Sequence, residues 1–313
     1  MVSRGGRTRT GDPRVPNAVR YRTALHPVTP GVHQVMNLKD PGLVSIMRTI
    51  PNRQGHLDFA LIGKMRFEMP ITPQLYQAHH GLHNEDLPFW LELAGRQKGP
   101  ILELGCGTGR VLIALAGAGY ASYGLDSDAG MLATLQHQAR SDAASGCSVF
   151  QADMAAYHLA QAFALILLPC NTLSTLPAET RRTAFALIRH HLSPKGLFAA
   201  SLPNPALLAR LPRRAAADIE EIFSHPVDGE PVQVSSTWQR SAEYFTITWH
   251  YDHLLPDGRV ERLTAQACHT MLPVEGYTDE LGQAGLKIEA LYGDFDQSSY
   301  TENSPNLIIL AHQ

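Results

Sequence analysis

The sequence has few cysteines, and none of them are spaced as pairs. Its four cysteines, Cys106, Cys147, Cys170 and Cys268, form no C-x-x-C pattern and no zinc-binding spacing. Neither a disulfide framework nor a structural metal is therefore indicated. Long apolar runs are also missing: none reaches the roughly 20 residues needed to span a bilayer, and no apolar core of a secretory signal follows the start. We expect a protein of the reducing cytoplasm with no membrane partner.

The chain also lacks an excess of positive charge. Its 26 lysine and arginine residues stand against 29 acidic residues, for a net charge of -3 and an isoelectric point near 6.6. A protein held to nucleic acid mainly by phosphate neutralisation would carry a basic surplus. The composition thus disfavours a nucleic-acid partner, although it leaves a local basic patch open, and it favours a small-molecule ligand.

Regular hydrophobic periodicity is absent from residues 1–68. The first 22 residues carry six arginines against Asp12, with scattered glycine and proline. Such a composition predicts disorder, because it can bury little apolar surface to offset the entropy cost of ordering. A basic arm, a transit peptide and a spurious translation upstream of a start at Met36, Met47 or Met65 are all open interpretations, and we favour the last. The folded domain is expected to cover residues 69–313.

What the sequence does contain is a glycine-rich stretch, ILELGCGTGR, at residues 101–110. Its apolar start, its three glycines and the apolar VLIALAGAG that follows predict a strand, a turn and a helix. Glycines let the backbone approach a ligand closely, and free amides at a helix start favour a polar or anionic group. A dinucleotide fingerprint would need its third glycine where Arg110 stands, which disfavours a nicotinamide cofactor.

A carboxylate follows at the distance expected for a nucleoside site. YASYGLDSD predicts a second strand, and this strand ends at Asp126, 21 residues beyond Gly105. An acid at that point can accept hydrogen bonds from both ribose hydroxyls. The alternative is that Asp126 only caps the next helix, but Asp128 is better placed for capping.

The pattern E-x-G-x-G-x-G resembles motif I of the class I S-adenosylmethionine (AdoMet) methyltransferases. The resemblance covers residues 69–313, where further acids and strand ends follow in the order of that family. It implies AdoMet as the cofactor, an acid after the third strand that meets the adenine amino group, and a neighbouring side chain that covers the adenine ring. The implied cofactor-binding residues are Glu103, Gly105, Cys106, Gly107, Gly109, Asp126, Ser127, Asp153, Met154 and Pro169.

Alternating strand and helix patterns up to Asn204 predict an α/β fold with a doubly wound parallel sheet. Three segments within about residues 215–272 then alternate apolar and polar residues with period 2, which predicts an inserted antiparallel β subdomain of three strands: VQVSSTWQ, EYFTITWHYDHLL and RVERLTAQACHTML. The resemblance implies a Rossmann-like seven-stranded methyltransferase sheet in the order 3-2-1-4-5-7-6. Its last two strands would be the LKIEALYGDFD and NLIILAHQ segments, as an antiparallel pair.

The resemblance further implies methyl transfer to a nitrogen or oxygen of a small-molecule acceptor. A helical lid is predicted before the glycine motif, and it carries Tyr76 and His79. We predict these two residues, with Tyr300 in the loop between the closing strands, as candidate catalytic residues, while a packing role for each stays open. A histidine such as His79, His80 or His158 could take the acceptor proton, and water could serve instead. In-line displacement requires alignment but no dedicated nucleophile or metal.

Two other functions stay open at this point. One is a nicotinamide-dependent oxidoreductase, which the arginine in the glycine motif disfavours. The other is a non-catalytic AdoMet-binding protein, which the sequence does not distinguish from an enzyme.

Overall fold

The computed structural model describes residues 35–37, 71–141 and 146–313, and within them the main sheet has eight strands. In chain order these are β1 (Val35–Asn37), β2 (Ile101–Leu104), β3 (Ser122–Asp126), β4 (Cys147–Gln151), β5 (Phe163–Leu168), β6 (Leu192–Pro203), β11 (Lys287–Tyr292) and β12 (Asn306–His312). A separate antiparallel sheet, the inserted sheet, consists of β7 (Asp218–Ser224), β8 (Pro231–Arg240), β9 (Tyr244–Leu254) and β10 (Val260–Thr270).

The helices of the described residues are α1 (Pro73–His80), α2 (Leu87–Arg96), α3 (Arg110–Gly117), α4 (Ala129–Ser141), α5 (Thr172–Thr175), α6 (Ala178–His191), α7 (Pro205–Arg210) and α8 (Val274–Gln283). We call α1, α2 and the residues between them the lid. Helix α1 begins after Thr72, whose hydroxyl accepts a hydrogen bond from the Leu75 amide at 3.2 Å. Helix α4 begins after Asp128, which accepts from the amides of Gly130 and Met131 as predicted for a cap.

The main sheet has the strand order β1-β4-β3-β2-β5-β6-β12-β11. Strands β4, β3, β2, β5 and β6 are parallel, whereas β12 runs antiparallel to both β6 and β11. Without the edge strand β1, this is the order 3-2-1-4-5-7-6, so the predicted fold class is confirmed. The parallel strands end together at one side, which we call the carboxyl edge and where open α/β sheets bind their ligands.

The central strand β5 shows why this sheet is buried on both faces. All six residues of its FALILL sequence are buried. Ile166 and Leu168 pack in one hydrophobic cluster, and Leu165 and Leu167 pack in another. Because neighbouring side chains of a strand point to opposite faces, a continuous apolar run fills both layers of helix packing.

The inserted sheet has one strand more than the sequence pattern predicts. The additional strand, β7, is an edge strand whose side chains are exposed or half-buried, so its DIEEIFS sequence lacks clean alternation. The buried face of the sheet comes from β9, where Phe245, Ile247, Trp249 and Tyr251 are each 2% exposed or less. These side chains pack in one cluster with residues of α1 and α4, so the α1 part of the lid lies between α4 and the inserted sheet.

Three residues of the segment 1–68 are described. They form the edge strand β1 and pair antiparallel with β4, which differs from the disorder predicted for them. The other residues of the segment, including Met47 and Met65, lie outside the described residues, and the predicted domain boundaries stay predictions. Among the described helices, none combines the length and the apolar character needed to cross a membrane.

Candidate cofactor and acceptor site

The loop between β2 and α3 contains three glycines in the left-handed backbone region. The φ angles are 66° at Gly105, 54° at Gly107 and 90° at Gly109. A Cβ atom at Gly109 would lie only 2.6 Å from Cγ of Leu135, so a side chain does not fit there. At Gly107, no described heavy atom lies within 4 Å of the position that a Cβ would take. The loop backbone at Gly107 is therefore able to approach a ligand closely.

Cys106 contributes its backbone to this loop, while its thiol packs in the interior. The residue is 4% exposed and belongs to a hydrophobic cluster beneath the loop. Its Sγ would lie 2.8 Å from a Cβ at Gly124 in β3, so only glycine fits opposite it. Its amide donates to the Leu125 carbonyl at 3.0 Å. Cys106 thus holds the loop against β3.

Asp126 joins the end of β3 to the glycine loop. Its Oδ2 accepts a hydrogen bond from the Gly107 amide at 2.7 Å, and its Oδ1 accepts one from the Asp128 amide at 2.8 Å. Each carboxylate oxygen has two lone pairs, so each is able to accept a second bond from a ribose hydroxyl. The structure therefore brings the predicted ribose acceptor and the glycine loop together at the carboxyl edge.

Glu103 is a buried carboxylate beneath the same loop. It is 2% exposed, and its Oε2 accepts no hydrogen bond from any described residue. Burial raises the pKa of Glu103 well above its usual range, while the charge of Arg110 opposes this shift. A buried carboxylate oxygen without a partner is costly, and a cationic ligand group such as the ammonium of AdoMet would satisfy it. This residue therefore fits the predicted cofactor.

The other predicted cofactor residues follow strands β3, β4 and β5. Ser127 is half-buried directly after β3, and Pro169 is buried directly after β5. Asp153 is half-buried, and its Oδ1 accepts from the Ala155 amide at 2.8 Å. Met154 is 7% exposed and packs in the main hydrophobic core. The adenine contacts of Asp153 and Met154 stay predictions.

The end of β5 has an unusual backbone. Cys170 and Asn171 have φ angles of 61° and 63°, which are uncommon for residues other than glycine and are found preferentially at functional sites. The Asn171 amide donates to the Ser201 carbonyl near the end of β6 at 3.2 Å. Nη2 of Arg110 lies 3.1 Å from Sγ of Cys170. The carboxyl end of β5 is thus held beside the first turn of α3.

Two contacts join the lid to the glycine loop. Arg110 and Asp86 form a buried bidentate ion pair with N–O distances of 2.6 and 2.8 Å. Within the lid, Nε1 of Trp90 donates to the same carboxylate at 2.9 Å. In the second contact, the Thr108 hydroxyl donates to the side chain of Gln77 in α1. The ion pair has no signal in the sequence, where Arg110 stands out only as a mismatch to the dinucleotide pattern. Asp86 precedes α2 but makes no side-chain cap bond, since its carboxylate is held by Arg110.

Tyr76 and His79 lie together in an aromatic cluster between α1 and the inserted sheet. They are 7% and 3% exposed. Nδ1 of His79 lies 2.9 Å from the hydroxyl of Tyr251, and its ring stacks on Phe223 with the centroids 5.9 Å apart. The ring of Tyr76 lies 4.2 Å from that of His80. Tyr251 thus contacts a predicted site residue, and the sequence does not reveal this contact because β9 is remote from α1 in the chain.

Tyr300 belongs to a different set of contacts, in the closing loop between β11 and β12. Its hydroxyl donates to Oδ1 of Asn204 at 2.7 Å. The amide group of Asn204 donates to three carbonyls of the same loop. The closing loop also contacts the lid, where the rings of Phe295 and Phe89 lie 5.7 Å apart. The loop lies at the carboxyl edge as predicted, but the hydroxyl of Tyr300 has a structural partner there.

His158 lies away from the carboxyl edge. Its ring is 6.0 Å from that of His190 and 5.8 Å from that of His191. His191 directly precedes β6, and β6 begins at the opposite edge of the sheet because it is parallel to β5. His158 is therefore not part of the site.

The strand order of the main sheet is that of the class I AdoMet-dependent methyltransferase fold, and comparison with known proteins agrees. Residues 101–196 match a family model described as a methyltransferase domain. YqeM of Bacillus subtilis (strain 168), provisionally named as a methyltransferase, is 24% identical over 234 residues, which cover 72% of this chain and 88% of that protein.

Two solved structures share the fold. The CcbJ methyltransferase from Streptomyces caelestis has a TM-score of 0.65 at 20% identity, covering 77% of this chain and 97% of that one. AdoMet-bound CalS10, an amino pentose methyltransferase from Micromonospora echinaspora, has a TM-score of 0.61 at 19% identity, covering 79% and 100%. The family match agrees with the predicted AdoMet-dependent methyltransferase domain at residues 101–196, and the solved structures confirm its fold.

Replacing Asp126 should weaken AdoMet binding. We expect Asp126→Asn to lower the affinity by about 10-fold or more in calorimetric titration, because charge-assisted hydrogen bonds contribute about 1.5–3 kcal/mol each. Asp128→Asn is the matched control, since it makes the same charge change nearby and asparagine is an equally good helix cap. Wild-type affinity in a folded Asp126→Asn protein would contradict the ribose assignment.

Proposed function

We propose that this enzyme transfers the methyl group of AdoMet to a nitrogen or an oxygen of a small-molecule acceptor by direct in-line displacement. The observation that carries the proposal is the contact between the lid and the glycine loop. Helix α1 touches the loop through Gln77 and Thr108, and it carries Tyr76 and His79 in the adjacent aromatic cluster. An acceptor beside this cluster would lie next to a cofactor held by the loop.

A small acceptor is supported by the way that the inserted sheet covers the carboxyl edge. Helix α5 follows β5 directly, and Oγ of Ser174 lies 2.8 Å from Nδ1 of His269 in β10. The hydroxyl of Thr270 donates to the Ser174 carbonyl at 3.0 Å. A site bounded by the lid, the inserted sheet and the strand ends suits a compact molecule better than a polymer surface. The net charge of -3 also gives no support for a nucleic-acid acceptor.

The chemistry needs alignment more than a dedicated nucleophile. The bond between the methyl carbon and the sulfonium sulfur breaks while the bond to the acceptor nitrogen or oxygen forms, and the acceptor proton leaves to His79 or to water. Holding the two reactants in line contributes about 7–11 kcal/mol. The name of CalS10 as an amino pentose methyltransferase makes an amine on a small polar molecule a reasonable first acceptor to test. We also expect a cytoplasmic location, because the four cysteines show no paired spacing.

Mass spectrometry with methyl-deuterated AdoMet tests this function. We expect small molecules of a metabolite extract to gain one labelled methyl group with the full chain, and far less with Asp126→Asn. If the protein binds AdoMet but labels nothing in the extract or in an amine panel, it is a non-catalytic AdoMet-binding protein. If instead it turns over a nicotinamide cofactor and ignores AdoMet, it is an oxidoreductase.

The acceptor roles of the two candidate tyrosines are tested by removing their hydroxyls. If they position the acceptor, Tyr76→Phe and Tyr300→Phe should each lower methyl transfer by about 10-fold while AdoMet affinity is kept, because misalignment reduces rate before donor binding. Tyr244→Phe, at a residue 45% exposed on β9, is the control.

Tyr300→Phe also removes the hydrogen bond to Asn204, which is worth about 1 kcal/mol, so melting is measured beside turnover. Full turnover in both variants, or loss only in step with lower stability, would place the acceptor elsewhere.

A further inference from the structure

We propose that His79, His83 and Glu221 form a binding site for a divalent transition-metal ion of the zinc class, between the lid and the inserted sheet. One ligand atom of each of these three side chains lies within 4.8 Å of those of the other two. His79 and His83 are 3% and 5% exposed, and the Glu221 side chain is 13% exposed. Two imidazoles and one carboxylate are a ligand set that zinc uses in catalytic sites, with water or a substrate group as the fourth ligand.

The two histidines are brought together by the end of α1. They are four residues apart, and the helical turn continues past the last helical residue, since the Leu82 and His83 amides donate to the His79 and His80 carbonyls at 3.3 Å. Side chains at this spacing lie on one helical face. The rings of His79 and His83 are 6.0 Å apart and inclined at 73° to each other.

The carboxylate is directed toward the histidines by a bulge in β7. The register shifts between Ile219 and Glu221, so that Glu220 is an extra residue opposite β8. Bulges change the direction of a side chain and occur preferentially near functional sites. The neighbouring carboxylate of Glu220 instead accepts a hydrogen bond from the Ser236 hydroxyl of β8. Glu221 points toward the histidines, and its Oε1 lies 3.1 Å from Nε2 of His83.

These distances match two ligands of one ion. Zinc bonds of about 2.0–2.1 Å at a tetrahedral angle place two ligand atoms about 3.3 Å apart. The 3.1 Å separation between His83 and Glu221 is close to that value. The ligand atoms of all three side chains lie within 4.8 Å of one another, so a tetrahedral site would require any pair to approach by at most about 1.5 Å.

Tyr251 would serve as an orienting partner of the site. Its hydroxyl contacts Nδ1 of His79, so the ion would be held through Nε2 of that ring. Metal-binding histidines are commonly oriented in this way through the second ring nitrogen. An imidazole that holds a metal through Nε2 does not accept a proton there, so with the ion bound the acceptor proton would go to water.

The two other histidine groups of the described residues are weaker candidates. In the group of His158, His190 and His191, the Leu159 amide donates to Nε2 of His191 at 3.0 Å and the Leu187 carbonyl lies 2.8 Å from its Nδ1. Both ring nitrogens of His191 are thus already bound.

The third group, formed by His225, Asp228 and His253, is at the surface, where the Asp228 side chain is 42% exposed. A substitution in this surface group is a matched control for the substitutions at the proposed metal site. The cysteine spacing predicts no structural metal, and the proposed ligand set has no local signal because Glu221 is remote from the two histidines in the chain.

Zinc titration of the tag-free full chain tests the proposal without reference to methyl transfer. The protein is stripped with a chelator and titrated with Zn²⁺ in competition with a chromogenic chelator, and melting is recorded with and without the ion. We expect one tight site per chain and a higher Tm with zinc. His83→Gln and Glu221→Gln should abolish both, and Tyr251→Phe should weaken the affinity by about 10- to 100-fold.

His225→Gln should leave the tight site unchanged. Absence of a tight site in the wild-type chain would overturn the proposal, as would a tight site that survives in His83→Gln and is lost in His225→Gln. Melting of the metal-free variants shows whether each is folded, and Tyr251→Phe keeps the test decisive if His83→Gln does not fold. Failure of methyl transfer has no bearing on these readouts, so the proposed function and the metal site are judged separately.

Discussion

The hydrogen bonds that Asp126 accepts fix the geometry on which the rest of the site depends. Its carboxylate holds the Gly107 amide and so determines where the glycine loop lies relative to β3. On the other side of the loop, Gly109 packs against Leu135 with no room for a side chain. With both sides fixed, the loop presents its backbone to the carboxyl edge, where we predict that Asp126 binds the ribose of AdoMet.

The lid depends on this loop through a buried ion pair. Arg110 belongs to the first turn of α3, and its bidentate contact with Asp86 anchors the start of α2. Removing one partner of a buried pair costs about 3–5 kcal/mol, because the other charge is left uncompensated. The lid is anchored on its opposite side by the contacts of His79 with Tyr251 and of His83 with Glu221. It therefore connects the main sheet with the inserted sheet, and two of the predicted acceptor-side residues, Tyr76 and His79, lie at that junction.

Much of the fold and of the cofactor site could be predicted because their signals are local in the sequence. The glycine spacing, the position of Asp126 after its strand and the apolar run of β5 each depend on a few consecutive residues and on strand geometry. The strand order came from the family resemblance and is confirmed by the observed pairing.

Contacts between remote segments could not be predicted in this way. The ion pair of Asp86 with Arg110 and the contact of His79 with Tyr251 depend on how the lid packs between two sheets. Strand β7 was missed because an exposed edge strand with a bulge lacks the alternation that marks a half-buried strand. The thiol of Cys106 packs inward, since the turn directs its backbone rather than its side chain to the ligand.

Hydrogen exchange of the full chain with and without AdoMet tests the central claim most directly, because it locates the cofactor without assuming an acceptor. The account predicts slower exchange on binding at residues 105–109, 126–128 and 153–155, the loops after β2, β3 and β4. A separate cavity of about 610 Å³ in the inserted sheet, lined by Arg213, Arg214 and Arg240 among others, should keep its exchange rates. Protection of that cavity without protection of the three loops would contradict the assignment of the carboxyl edge as the AdoMet site.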